Sequence, residues 1–197
     1  RVEIDGAGVQ VMLGVEVVGV PFALEPPEQT PLPRRLAAVH APFDRICRKY
    51  VDDVGLVDYK ALKIDRADLD AFLRRVEEIS PHSNIAVFTT EAEALAYWIN
   101  AYNALTVDLI LRNYPTKSIK DIKDPWDQRL WKFGDKWYNL NGIEHNILRK
   151  MNEPRIHFAI VCASVSCPKL QNEAFVASNL EEQLTNATEE FLADTSK

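Results

Sequence analysis

Thr90-Glu-Ala-Glu-Ala-Leu-Ala-Tyr-Trp-Ile-Asn-Ala-Tyr-Asn-Ala-Leu-Thr-Val-Asp-Leu-Ile-Leu-Arg-Asn113 is the stretch that decides how the chain folds. It opens on Thr-x-x-Glu, in which a threonine hydroxyl and a glutamate three residues on each satisfy a free amide at a helix N-terminus. It stops before Tyr114-Pro115, a helix-ending signal. At about 100° per residue, Leu95, Trp98, Ile99, Tyr102, Leu105, Val107, Leu109 and Ile110 cover nearly the whole circumference. A helix apolar almost all round is a buried one, so the other elements are expected to pack around it. Asn100 and Asn103 share a face with Ala96 and Val107, which predicts buried amides. An unpaired buried amide costs about 1–3 kcal/mol. These two are therefore expected either to tie down loops that cross the helix or to line a site and orient a substrate.

Amphipathic spacing predicts two earlier helices, one carrying Leu36, Val39, Phe43, Ile46, Cys47 and Tyr50, the other running from Asp65 through Leu69, Phe72 and Val76 to Ile79. Cys47 lies on an apolar stripe and reads as buried packing. A short extended piece is expected over 54–59. Beyond the long helix, Leu130-Trp-Lys-Phe133, Gly134-Asp135 and Lys136-Trp-Tyr-Asn-Leu140 read as a β-hairpin whose turn needs a positive φ at Gly134. Trp126, Trp131 and Trp137 either form an aromatic wall for a ligand or pack in the core. Asn141 is expected to cap a helix over 142–151 whose apolar face, Ile143, Ile147, Leu148 and Met151, includes the acid Glu144. Such an acid needs a partner, and Arg155 is a candidate. Ser178-Asn-Leu-Glu181 predicts a capped final helix. Helices in series with a small hairpin make the fold class α+β.

The 197 residues, 47% apolar, suffice for one sizeable core. Residues 1–33 read as an N-terminal extension ending in the proline-rich linker Glu25-Pro-Pro-Glu-Gln-Thr-Pro-Leu-Pro33, and 34–197 as a single α+β domain. The net charge of −6, spread along the chain, argues against a nucleic-acid surface. No apolar run approaches the roughly 20 residues that span a bilayer, since 8–24 is broken by Glu16 and Pro21. No cofactor is expected.

The densest chemistry lies in Arg155-Ile-His-Phe-Ala-Ile-Val-Cys-Ala-Ser-Val-Ser-Cys-Pro-Lys-Leu170. It reads as a strand over 155–163 followed by a turn. Strand parity points His157, Ala159 and Val161 one way and Phe158, Ile160 and Cys162 the other, which favours Cys167 over Cys162 as the partner of His157. The arrangement predicted is Cys167 as nucleophile, His157 as general base and acid, and Glu144 orienting the imidazole, with donors near Ser164 and Ser166 for an oxyanion. Asn100, Asn103 and Trp131 are the expected substrate contacts, on a peptide-like amide or ester or a protein partner. Three alternatives stand beside it. One is a zinc site using Cys162, Cys167, His157 and Glu144. Another is a structural disulfide between the cysteines, which suits an exported protein. The third is a non-catalytic binding or scaffold domain in which these residues only pack.

Trp98-Ile-Asn-Ala-Tyr-Asn-Ala104, Gly142-Ile-Glu-His-Asn-Ile-Leu-Arg149 and the Arg155–Pro168 motif, in this order, resemble the domain-of-unknown-function family numbered 547. The likeness covers roughly 43–192. It implies that Asn100, Asn103, Glu144, His145, His157, Cys162, Ser166 and Cys167 are the family's characteristic polar residues. It also implies a papain- or transglutaminase-like thiol fold, a central helix packed on a small, mainly antiparallel sheet. Export to the periplasm or cell exterior is implied over the cytoplasm. Three departures stand out. Ala163 occupies a position where the family usually has glycine, and the further apolar segment usual after the last helix is missing. The central helix also lacks the cysteine that opens it in papain-like enzymes, which implies a permuted site.

Overall fold

The computed structural model describes residues 32–163 and 167–195. The extension and linker expected over 1–33 lie outside them, except for the last two positions, which open the first helix. In chain order the elements are α1 (Leu32–Tyr50), α2 (Tyr59–Ile64), α3 (Ala67–Glu78), α4 (Glu91–Arg112), β1 (Trp131–Phe133), β2 (Lys136–Tyr138), α5 (Leu140–Asn146), α6 (Ile156–Ala159) and α7 (Leu180–Ala193). The fold is α+β: among the described residues it is mostly helical, with one two-stranded antiparallel sheet.

α4 begins as its sequence dictates. The Thr90 hydroxyl accepts from the Glu93 amide, and the Glu93 carboxylate accepts from the Thr90 amide. Every residue from Leu95 to Leu111 is buried, and α1, α3 and α5 pack against this helix. Trp98 joins it to the hairpin, its ring 6.1 Å from that of Phe133 and 5.6 Å from that of Tyr138. Gly134 has φ +57° at the turn between β1 and β2, which pair Trp131 with Tyr138 and Phe133 with Lys136.

Four expectations need correction. The extended piece over 54–59 is a turn closed by a Val51–Val57 bridge, and Tyr59 already begins α2. The 142–151 helix is α5 followed by a 3-10 turn at Leu148–Lys150, and its cap is Asn139, whose Oδ1 accepts from the Gly142 amide at 2.7 Å. The Ser178–Glu181 box does not form. α7 is instead preceded by a 3-10 turn, because the Glu181 carboxylate is held by Arg155 at 2.7 Å. Most consequential, 155–163 is not a strand. Ile156–Ala159 makes a single helical turn, and the chain becomes extended only at Ile160.

Candidate functional site: an apolar pocket beside a disulfide

The chain leaving α6 is held from below by Asn103 of α4. The Asn103 Nδ2 donates to the Ala159 carbonyl at 2.9 Å, and its Oδ1 accepts from the Val161 amide at 2.9 Å. Asn100 does the same one turn earlier, donating to the Phe175 carbonyl at 2.7 Å and accepting from the Phe175 amide at 2.9 Å. Each amide thus pairs with backbone as a neighbouring strand would, satisfying groups that water cannot reach. Of the two roles expected for these asparagines, tying down crossing loops is the one their contacts describe. Both are buried.

Past Val161, Cys162 is bonded to Cys167, with a Cα–Cα separation of 6.1 Å that lies within the usual range for a disulfide. Ala163 between them has φ +53°. That left-handed conformation costs a residue with a Cβ about 1–2 kcal/mol and explains why glycine suits this position. Ala163→Gly is expected to raise stability by up to about 1 kcal/mol, since the added freedom of the unfolded chain offsets part of the relief. A urea midpoint unchanged or lowered by the substitution would count against that account.

Leu170, buried, anchors the downstream side. There the chain runs against the turn at Gly55, whose φ is +82° and where an added Cβ would lie 2.4 Å from the Lys169 Cβ. Only glycine fits that approach. Between the two segments is a cavity of about 320 Å3 walled by Val54, Leu56 and Val57 on one side, Val161, Ala163, Cys167, Pro168 and Leu170 on the other, and Val107 of α4. Val54 and Leu56 are 69% and 68% exposed. Tyr59 also lines the cavity. Burial pushes its phenol pKa up, and its hydroxyl has no hydrogen-bond partner among the described residues. The ammonium of Lys169 is turned to the Asp53 carbonyl at 3.1 Å and to Glu190 at 3.2 Å.

Of the four residues expected to carry chemistry, the structure joins only Cys162 and Cys167, and it joins them to each other. His157 is exposed on α6. Among the described residues no hydrogen bond or ion pair links its ring to Glu144 or to either cysteine. Glu144 is paired with Arg149 at 2.7 Å rather than with Arg155, which holds Glu153 and Glu181. Burial, and then the nearby Glu144 carboxylate, raise the phenol pKa of Tyr102. Trp131 is buried, its Nε1 donating to Asp108 at 2.8 Å, so it packs rather than lining a groove. Trp137 is exposed. Ser164 and Ser166 lie outside the described residues.

Three residues not singled out by the sequence matter here. Asp108 is fully buried among Arg66, Arg112 and Trp131. The test that picks out Glu144, an acid inside an apolar helix surface, also finds Asp108. His40 is buried, and its Nδ1 accepts from the Asn100 Nδ2 at 3.0 Å. Burial lowers its pKa to about 4, so the ring is neutral at pH 7. Tyr59, at the start of a helix too short to show a period, left no signal.

Comparisons with curated proteins and with solved structures return no match. The model of the protein family described as "Protein of unknown function, DUF547" matches residues 87–192, from just before α4 to the end of α7. That span holds both asparagine clamps and the disulfide, and the chain belongs to the DUF547 family.

Proposed function

We propose that this domain is a non-catalytic binding module that takes a compact apolar group, branched aliphatic or aromatic, in the pocket beside the Cys162–Cys167 bond. The group can be borne by a peptide or by a small molecule. The observation that carries this reading is the pocket itself: about 320 Å3, walled almost wholly by apolar side chains, with Val54 and Leu56 left largely exposed at its edge. Ligand cavities start at roughly this size and combine apolar walls with a few polar groups. Tyr59 is such a group. Covering an exposed valine or leucine contributes on the order of 1–2 kcal/mol each.

The rival reading, a thiol hydrolase or acyl transferase on a papain- or transglutaminase-like layout, requires a free thiolate next to its base. With both sulfurs in one bond and His157 exposed without a side-chain partner among the described residues, the geometry favours binding. The same bond removes the two sulfur ligands from the zinc alternative.

The test is titration of the full chain with the neutral fluorophore N-phenyl-1-naphthylamine. The expected result is saturable binding that Leu56→Asp weakens by about tenfold or more, because a charge at the pocket edge must be desolvated. The thermal midpoint should hold, since the Leu56 side chain is exposed. A chain that gives no saturable signal does not have this function.

A further inference from the structure

We infer that the Cys162–Cys167 bond is a thiol–disulfide exchange site for a dithiol reductant, and that its state sets the affinity of the apolar pocket. This rests on the binding reading above and adds its control.

Access is the first ground. Both cysteines are partly exposed and Cys167 lines the pocket, so a dithiol can reach the bond. Cys47, the free cysteine, is fully buried, and its burial opposes the thiolate that exchange needs. The second ground is what the bond restrains. The Asn103 clamp at Val161 and the buried Leu170 fix the chain on either side. Ala163, Cys167 and Pro168 form pocket wall between those anchors, and the disulfide is the cross-link between Cys162 and Cys167 there. The left-handed Ala163 is a conformation that persists only where its surroundings impose it. The third ground is that the fold does not need this staple. Its core is built on α4, buried from Leu95 to Leu111, and disulfides are structural necessities chiefly in domains too small for such a core.

The step balances. One thiolate of the dithiol attacks a sulfur of the Cys162–Cys167 bond, forming a mixed disulfide and releasing the other cysteine as a thiolate. The reagent's second thiolate then displaces the remaining cysteine. The reductant ends as a disulfide, and two electrons and two protons have passed to Cys162 and Cys167. The cross-linked wall is the form that binds. Freed of the bond, the wall samples arrangements that do not fit the ligand, and apparent affinity falls by the fraction that still does.

The experiment uses the full chain, oxidised or equilibrated with dithiothreitol, and reads three signals: native thiol count, N-phenyl-1-naphthylamine affinity and thermal melting. Reduction is expected to expose the thiols of Cys162 and Cys167 while Cys47 reacts only after unfolding. It should weaken probe binding about tenfold and leave a cooperative melt. The Cys162→Ser/Cys167→Ser double variant is expected to bind like the reduced chain, with or without dithiothreitol. Saturable binding that is equal in both redox states overturns the exchange control and leaves the pocket reading standing. Absence of binding in the oxidised chain overturns the pocket reading and the control built on it. Loss of the cooperative melt on reduction makes the bond a staple and overturns the inference.

Discussion

Replacing Asp108 by alanine is expected to destabilise the folded chain by about 3–5 kcal/mol. The carboxylate is fully buried. Its Oδ1 accepts from the Arg66 Nη2 at 2.9 Å, and its Oδ2 accepts from the Arg112 Nε at 2.6 Å and the Trp131 Nε1 at 2.8 Å. Removing it strands three donors unequally. The Arg66 and Arg112 side chains are 32% and 46% exposed, so both can turn to water, and Arg66 keeps Asp70 at 2.9 Å. Trp131 is buried in the hairpin and cannot follow, so its indole N–H stays unpaired at about 1–3 kcal/mol. The lost packing in the buried run of α4 adds the rest. Arg112→Ala removes one half-exposed partner and is expected to cost about 1 kcal/mol. Urea unfolding monitored by tryptophan fluorescence separates the two, because the midpoint should fall while the slope stays constant. A loss of less than about 1 kcal/mol for Asp108→Ala would mean that Trp131 finds another acceptor.

What could be read from the sequence divides along the range of the forces involved. α4 was legible because its cap and apolar periodicity are local. So was the hairpin, whose turn needs a positive φ only at Gly134. α6 was not. Ile156–Ala159 is one helical turn, too short to carry a period, and the segment is fixed from outside. Asn103 holds Ala159 and Val161, and Arg155 is locked to Glu153 and Glu181. Once that turn is helical, the strand-parity argument that set His157 beside Cys167 has no basis. The lost capping box at Glu181 has the same source, since a distant arginine outcompetes a local amide for the carboxylate. Spacing alone left Cys162 and Cys167 open to nucleophile, zinc ligand or disulfide, because all three tolerate such a separation. The pocket could not be read at all: its walls come from 54–59, α4 and 161–170, and no sequence period relates them.

Asn103→Ala is expected to destabilise the chain by about 2–4 kcal/mol and to weaken probe binding as well. The substitution orphans the Val161 amide and the Ala159 carbonyl, each 2.9 Å from the Asn103 side chain and both in buried residues. A buried group without a partner costs about 1–3 kcal/mol, and water entering the space of the lost amide recovers part of it. Because Val161 is pocket wall, the chain cannot relax there without moving that wall. Asn103→Asp refines the argument. A carboxylate still accepts from Val161 but cannot donate to Ala159, so it should restore part of the affinity and less of the stability. Asn100→Ala is the control. Its amide holds Phe175, outside the pocket lining, and the same chemistry predicts a similar loss of stability. If the clamps act only where they touch, the Asn100 variant stays folded at low temperature and binds the probe like the parent chain, while the Asn103 variant does not. Equal losses of binding from both would mean that the pocket reports the stability of the whole fold and not the hold of Asn103 on Val161.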